Sequence, residues 1–419
     1  MTLAGNPRLR ALEAFPVEHE GQRCIALRDP AGFTDQIALL PAPLLDLVSL
    51  FDGEHSVETI RQVLERRHGE APTLEQIVSV IERFDVAGFL DSDRFHARRQ
   101  ALEDSFRRSP VRPAAHAGGA YDSDPAALAA QIDAFFSGPD GPGCAGSEMA
   151  PAHAAPSATP PGSIRGLIAP HIDFHRGGSA YAWAYREVLE RSDADLYVIL
   201  GTCHAGMSDP FAVTFKPYDT PLGAVPVDRD FGEELGRRAG QDLLASEPAH
   251  RAEHSIEFQA VMLQHLVGPR RPFTILPVLA SYLHEAVRAR TEPETDQRIP
   301  RFIDALRETI AASSRRVCLI AGVDLAHVGP RFGDPELNTS DSLAVVERAD
   351  RGMLEPVLAA DAGGFFASVA SDGDARRICG LSPIYTLLRL LPQQPGRLLR
   401  YSQWPDPEGA VTFCAVSFP

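Results

Sequence analysis

The chain has 419 residues, of which 44% are hydrophobic, and a formal net charge of −16. This length exceeds the requirement of one ordinary core, so we expect two domains. The acidic balance disfavours nucleic-acid binding, because phosphate recognition needs a basic surface. No apolar run approaches the roughly 18 residues that cross a bilayer, and the N-terminus lacks the apolar core of a secretory signal. We therefore expect a cytoplasmic protein that binds neither nucleic acid nor membrane.

Residues 1–100 are predicted to form a small separate domain. A short strand in "CIALRDP" precedes an amphipathic helix that ends at Gly53. Ser56 and Thr73 are the expected N-caps of two further helices, and "AGFLDS" suggests a short strand or wing after them. The pattern indicates a winged-helix-like α+β domain. Its candidate recognition helix has no cluster of Lys and Arg, so a peptide or protein partner is favoured over DNA.

Residues 101–116 mix charge, Pro and Gly and are predicted to be a linker. After one further helix, residues 138–163 are rich in Pro, Gly, Ala and Ser, which predicts a mobile loop. From Ile164 onward, short apolar strands alternate with amphipathic helices until the final strand "AVTFCAVSF". We therefore predict an α/β domain over residues 117–419, with a mixed sheet flanked by helices.

Three predicted strands are each followed closely by a histidine. "IRGLIAPH" ends at His171, "DLYVILGTCH" ends at His204, and "VCLIAGVDLAH" delivers Asp324 and then His327. Ligands of open α/β sheets bind beyond the carboxyl ends of the strands, so these side chains converge if the strands are neighbours. Two imidazoles and one anionic group form an open transition-metal site. The sequence therefore predicts a metal site at this edge.

The residues alone leave the anionic ligand open among Asp173, Asp324 and Cys379. Cys379 follows Arg376 and Arg377 and precedes a predicted helix, a setting that favours the thiolate form.

The stretch "AEHSIEFQ" places His254 and Glu257 on one face of a predicted helix. Two side chains do not complete a closed metal site. We therefore expect His254 and Glu257 to support the ligands from outside or to face the substrate, and the same role is open to Asp173.

The motifs "APH", "LGTCH", "EHSIE", "ILPVL", "DLAH" and "ICG" occur in an order and spacing that resemble the Memo family. This family is called AmmeMemoRadiSam system protein B where it occurs beside AMMECR-type and radical SAM proteins. The resemblance covers roughly residues 116–419. It implies the α/β fold of class III extradiol dioxygenases and a metal pocket.

The resemblance also assigns roles to individual residues. His171 and His204 match the two histidine ligands of the family, and Cys379 matches its cysteine, which stands where the dioxygenases carry a carboxylate. His327 matches the acid/base histidine of those dioxygenases, with Asp324 beside it. One transition metal ion is implied, Fe(II) or copper, since a thiolate is soft enough to suit copper as well. A dioxygenase-like redox enzyme is one function that follows.

The N-terminal stretch from "LLDLVSLFDG" to "FDVAGFLD" is similar to PqqD-like winged-helix domains, which bind precursor peptides of modified natural products. This similarity supports a second function. The chain would then be a non-catalytic adapter that presents a peptide or protein to a radical SAM partner, and AMMECR-type proteins are further expected partners. The alternative for residues 1–100 is a structural lid that packs on the metal domain.

Overall fold

The structure is a computed structural model that describes residues 6–143 and 163–419. The greater part of the loop predicted over residues 138–163 lies outside the described residues. Among the described residues, none of the helices combines the length and the apolar character that crossing a bilayer requires.

The chain divides into two compact units, which are described separately. The first unit extends to Arg108 and includes Pro330–Asp334, whereas the second comprises Ser109–Gly329 and Pro335–Pro419.

The first unit has α+β composition. Its strands are β1 (Glu13–His19), β2 (Gln22–Arg28) and β3 (Ala38–Pro41). Its helices are α1 (Ala42–Val48), α2 (Val57–His68), α3 (Leu74–Ala87) and α4 (Asp93–Arg108). The strands form an antiparallel sheet in the order β1-β2-β3, so the fold is the small α+β unit that the sequence predicts. The more specific winged-helix interpretation stays a prediction.

The sheet of the first unit lies earlier in the chain than the sequence indicates. β1 and β2 form a hairpin whose turn, Glu20 and Gly21, has positive φ angles of 52° and 74°. β1 is absent from the sequence prediction because "EAFPVEH" contains a proline and has no strict apolar alternation. The strand or wing expected after α3 is reduced to an isolated bridge between Leu9 and Leu90.

The predicted caps of α2 and α3 are confirmed. The Ser56 hydroxyl accepts a hydrogen bond from the backbone N–H of Thr59 at 3.2 Å. Thr73 and Gln76 form a reciprocal capping box, which satisfies two backbone N–H groups at the start of α3. Ile60 of α2 is fully buried in the core of this unit. Local capping and an apolar helix face therefore account for these two helices.

Helix α4 occupies the first half of the predicted linker, residues 101–116. The helix continues to Arg108 because Phe106 in its last turn is buried. It ends there because the ring of Pro110 disfavours a helical backbone at the preceding residue. The charged residues that suggested a linker after residue 100 therefore belong to the last turns of α4.

The rest of the predicted linker is fixed by buried polar contacts within the second unit. The fully buried Arg112 forms an ion pair with Glu257. Its Nε donates to the carbonyl of His250 at 3.0 Å and its Nη2 to the carbonyl of Glu253 at 2.6 Å. Tyr121 also donates its hydroxyl to Glu257. An unpaired buried charge is costly, so these contacts hold residues 112–121 in place.

The second unit alternates helices and strands, as predicted. Its helices are α5 (Pro125–Ser137), α6 (Phe174–Arg191), α7 (Arg229–Ala239), α8 (His254–Leu266), α9 (Leu283–Ala289), α10 (Arg298–Ala312), α11 (Ser340–Leu358), α12 (Ala362–Ala370) and α13 (Leu381–Leu390). Its strands are β4 (Gly166–Ala169), β5 (Leu196–Thr202), β6 (Phe211–Val213), β7 (Thr274–Ala280), β8 (Val317–Gly322), β9 (His327–Val328), β10 (Arg397–Trp404) and β11 (Ala410–Phe418).

These eight strands form one mixed sheet in the order β10-β11-β4-β8-β5-β7-β6, and β9 pairs with β11. The four central strands β4, β8, β5 and β7 are parallel. The outer pairs β10 with β11, β11 with β4, and β6 with β7 are antiparallel. The predicted mixed sheet flanked by helices is confirmed.

The sheet is buried on both faces. Along β5, Leu196 and Val198 pack into one apolar cluster, whereas Tyr197 and Ile199 pack into the other. Successive strand residues point to opposite faces, so the two clusters are the two sides of the sheet. Helices α7, α10, α11, α12 and α13 contribute to the first cluster, and α5, α6 and α8 contribute to the second. Burial on both faces explains why the central strands are continuous apolar runs.

Candidate metal centre

The polar exits of three strands meet at one edge of the large sheet. β4, β8 and β5 are adjacent and parallel, so their carboxyl ends lie side by side. His171 lies two residues beyond β4, His204 two residues beyond β5, and Asp324 two residues beyond β8. The condition that the sequence sets, that these strands be neighbours, is met in the fold.

The structure brings together His171, His204 and Cys379. Their candidate ligand atoms all lie within 4.8 Å of one another, with 3.2 Å between Cys379 Sγ and His171 Nε2. The imidazole centroids of His171 and His204 are 4.9 Å apart. His171 is buried, whereas the side chain of His204 is 30% exposed, so the cluster can be reached from the His204 side.

Hydrogen bonds at the outer nitrogens orient both imidazoles. His171 Nδ1 lies 3.0 Å from the carbonyl oxygen of Gly322, at the end of β8. His204 Nδ1 lies 3.1 Å from each carboxylate oxygen of Glu253. Both acceptors favour a proton on Nδ1, which places the lone pair of each ring on Nε2. Ligating histidines characteristically donate their second nitrogen in this way, so the two rings fit a metal ion.

Glu253 was not predicted from the sequence, although it precedes the first residue of α8. It is buried, and besides His204 it accepts the backbone N–H of Ser255 at 2.9 Å as the N-cap of the helix. Burial alone would raise its pKa, but His204, His254 and these hydrogen bonds hold the pKa well below its ordinary value. An acidic residue before a helix is an ordinary capping signal, which is why the sequence gives no hint of the contact with His204.

A second cluster consists of His204, Glu253 and His254. The His254 ring stacks on the His204 ring with 4.6 Å between centroids and 20° between planes. The Glu253 carboxylate is already engaged by both His204 and the N-terminus of α8. The set of His171, His204 and Cys379 is therefore the better site, because its donor atoms are not committed to capping.

Cys379 is positioned by the strand exits themselves. Its backbone N–H donates to the carbonyl of Leu325 at 3.3 Å, and its carbonyl accepts from the Thr202 hydroxyl at 3.0 Å. The next residue, Gly380, packs so closely against Val323 that an added Cβ would lie 2.6 Å from the Val323 Cβ. A glycine is therefore needed after the cysteine to let this loop reach the end of β8.

The electrostatic setting of Cys379 differs from the expectation based on Arg376 and Arg377. Arg376 forms an ion pair with Asp350, and Arg377 donates to the carbonyl of His327 at 3.2 Å. Burial, and then the Asp324 carboxylate, raise the pKa of the Cys379 thiol well above its ordinary value. The two arginines are therefore engaged elsewhere, and the expectation that they favour the thiolate of Cys379 is not met.

Asp324 and His327 lie beside this cluster. Asp324 Oδ1 accepts the backbone N–H groups of His171 and Ile172 at 3.0 and 3.2 Å, and its Oδ2 lies 3.7 Å from His171 Nε2. Burial raises the pKa of Asp324 to about 6. Burial also lowers the pKa of His327, against the attraction of Asp324, which favours the neutral imidazole. His327 Nδ1 lies 3.2 Å from the carbonyl of Leu325.

The remaining residues proposed for the site occupy different places. His254 stacks on His204, as described above. Asp173 precedes α6 and forms an ion pair with Arg176 at 2.6 Å. Glu257 lies in the buried network with Arg112. A supporting role toward the ligands or the substrate stays a prediction for all three residues.

Comparison with known proteins identifies the family. The family model described as Memo-like protein matches residues 112–417. The chain belongs to this family. The match contains the four central strands, His171, His204 and Cys379, and it begins after residue 108, where the N-terminal part of the first unit ends.

Relatives differ in how much of the chain they match. The MEMO1 family protein of Aquifex aeolicus is 27% identical over 407 residues, 96% of each chain. Those of Methanopyrus kandleri and Methanothermobacter thermautotrophicus are 28% and 29% identical over 73% and 71% of this chain, which are 98% and 95% of theirs. The alignment with the Aquifex relative is long enough to include most of the first unit, whereas the other two relatives align over nearly their whole length to about three quarters of this chain.

A solved structure gives only a weak likeness. The uncharacterized protein JW3007 from Escherichia coli K12 superposes with a TM-score of 0.36 and 12% identity, covering 61% of this chain and all of that one. No functional conclusion follows from it.

The contact between Glu253 and His204 predicts different losses of metal affinity for substitutions at these two residues. Glu253→Gln removes the charge that orients His204 and should weaken metal binding by about 10–100-fold, the usual effect of losing a supporting partner. His204→Ala removes a donor atom and should weaken binding further. Affinities are measured by titration against a chelator, with Glu190→Gln at the far end of α6 as the matched control. Unchanged affinity of the Glu253→Gln protein would contradict the orienting role.

Proposed function

We propose that this Memo-like protein is a metal-dependent redox enzyme that binds one transition metal ion through His171, His204 and Cys379. The observation that carries this proposal is the pair of contacts from the Gly322 carbonyl and the Glu253 carboxylate, which turn both imidazoles toward the thiol. A set of two imidazoles and one thiol suits iron and also copper, because sulfur is the softer donor.

An iron or copper ion in this site would supply dioxygenase-like redox chemistry. The residues of the chain then have separate tasks. Glu253 and the end of β8 hold the two histidines, and the loop before α13 supplies the thiol. The site lies partly open beside His204, which leaves room for a further ligand.

His327 is the proposed acid/base residue. Burial lowers the pKa of His327 and so favours the neutral imidazole, the form that accepts a proton from a substrate group at the site. Asp324 holds the backbone of His171 and Ile172, and its Oδ2 lies 3.7 Å from His171 Nε2. The pair would hold and move one proton next to the metal, and neither side chain is needed as a ligand.

The proposal for His327 is tested with His327→Ala. The substituted protein should keep its metal, whereas the rate of oxygen consumption by the iron- or copper-loaded protein should fall by about 10²–10⁴-fold, the usual contribution of a positioned proton-transfer residue. Metal content is determined on the same samples. A His327→Ala protein that loses metal as completely as His204→Ala would make His327 a ligand and refute the assignment.

A second candidate function rests on the first unit. We propose that this unit is a PqqD-like peptide-binding domain, and that the chain acts as an adapter of the AmmeMemoRadiSam type for radical SAM and AMMECR-type partners. The supporting observation is the three-stranded sheet, in which β1 and β3 are the two edge strands. An edge strand can accept an extended peptide through backbone hydrogen bonds.

The adapter proposal predicts that the two units function separately. A protein lacking residues 1–108 should remain folded and metal-loaded, since the second unit has its own sheet and its own apolar clusters. The isolated first unit should show amide chemical-shift changes with peptides encoded beside the gene. An insoluble truncated protein would indicate that the first unit covers apolar surface. An absence of shift changes at millimolar peptide would refute peptide binding.

A further inference from the structure

A fully buried carboxylate on α11, that of Asp350, is shared by three other segments of the second unit. Its Oδ1 accepts from the guanidinium of Arg376, with which it forms an ion pair. Its Oδ2 accepts from the hydroxyl of Thr412 at 2.6 Å and from that of Tyr401 at 2.9 Å. A buried charge is costly unless it is paired and hydrogen-bonded, so these contacts hold the segments together.

The first of these partners, Thr412 of β11, holds the His327 loop, defined here as residues 323–327. The hydroxyl that donates to the carboxylate also accepts the backbone N–H of Ala326 at 2.9 Å. The Thr412 carbonyl accepts the N–H of Leu325 at 2.7 Å, and its N–H donates to the carbonyl of Ala326 at 2.9 Å. Thr412 therefore fixes the backbone just before the proposed acid/base residue.

The second partner, Arg376, belongs to the Cys379 loop, defined here as residues 371–380. The carbonyl of Arg376 accepts the backbone N–H of His327 at 2.8 Å, so the two loops are bonded to each other. Nε of Arg376 is buried and has no hydrogen-bond partner among the described residues. The ion pair with Asp350 is therefore the main compensation for burying this guanidinium, and it holds the loop three residues before the cysteine.

A further bond between the two loops lies at the cysteine itself. The backbone N–H of Cys379 donates to the carbonyl of Leu325 at 3.3 Å. Asp350 is thus connected to both sides of this contact, through Thr412 to one loop and through Arg376 to the other.

We propose that Asp350 is a positioning residue, which joins the two loops and thereby fixes the Cys379 thiol relative to the His327 imidazole. The inference rests on the proposed function for the roles of the thiol and the imidazole. The connection between the loops is made by the chain alone, so it can be tested with and without a metal ion.

Hydrogen exchange of the full-length, metal-free protein tests the connection between the loops. Asp350→Asn keeps an oxygen acceptor but removes the charge that pairs with Arg376. Backbone amides of both loops should then exchange about 10-fold faster relative to those of β5, because losing a hydrogen bond to a charged group shifts a local opening equilibrium by roughly this factor. Thr412→Val and Arg376→Gln should each accelerate their own loop most and the other loop to a lesser degree.

The position of the thiol is tested in the full-length protein loaded with cobalt(II), whose sulfur-to-metal charge-transfer band reports a bound thiolate. Cys379→Ser should abolish this band. Asp350→Asn should retain a band of lower intensity or shifted wavelength, and cobalt affinity should fall by about 10–100-fold, as for other residues that support a ligand from outside.

Two further substitutions on α11 are the matched controls. Glu355→Gln removes an exposed carboxylate of the same helix, and Val357→Ala creates a cavity in the apolar cluster against which the helix packs. Val357→Ala should lower the melting temperature, whereas Glu355→Gln should leave it unchanged. Neither should change the cobalt band or the exchange of the two loops relative to β5.

The inference is overturned if Asp350→Asn accelerates exchange in one loop alone, or in β5 as much as in the loops, or if its cobalt band equals that of the wild type. Should Asp350→Asn not fold, Thr412→Val and Arg376→Gln decide, and acceleration confined to the substituted loop in both would overturn it. Failure of the proposed function appears separately, as wild-type protein that takes up no cobalt, and the exchange rates then still decide whether Asp350 joins the loops.

Discussion

The parallel pairing of β4, β8 and β5 is the constraint on which the candidate centre depends. It brings three strand ends together, and each delivers a polar residue two positions after the strand ends. Burial of these strands on both faces fixes their register, because a slip of one residue would misplace side chains that fill two close-packed apolar clusters. His171, His204 and Asp324 therefore meet because of the sheet, before any contact among their side chains is considered.

Buried carboxylates complete what the strands begin. Glu253 orients His204 and caps α8, and Asp324 binds the backbone at His171. Asp350 of α11 accepts from the Thr412 hydroxyl at 2.6 Å and pairs with Arg376, which belongs to the loop that carries the cysteine. Each carboxylate is paired on several sides, as a buried charge requires. These buried carboxylates lie at the carboxyl ends of the strands, and their hydrogen bonds hold the segments that carry the candidate ligands.

The sequence predicted the parts of the site that follow from strand periodicity. His171, His204 and Asp324 end apolar runs, so residue types and spacing were sufficient to select them. Cys379 was one of three candidates for the anionic ligand until the family resemblance assigned it. The role of Glu253 was not predictable, because its contact with His204 depends on how α8 packs against β5, and its local pattern is that of a cap. Glu257 illustrates the same limit, since the helix face that it shares with His254 gives no sign of its partner Arg112.

In the first unit, the capping residues were sufficient to predict α2 and α3. The hairpin of β1 and β2 was not predicted, because its turn needs positive φ angles at Glu20 and Gly21, and the pair "EG" is not a strong turn signal.

The identity of the ligands is the central claim, and anomalous scattering tests it most directly. A crystal of the anaerobically metal-loaded protein would be measured on both sides of the absorption edge of the bound metal. The account predicts one anomalous peak within bonding distance, about 2.0–2.3 Å, of His171 Nε2, His204 Nε2 and Cys379 Sγ. A peak between His204, Glu253 and His254, with Cys379 out of reach, would contradict the account.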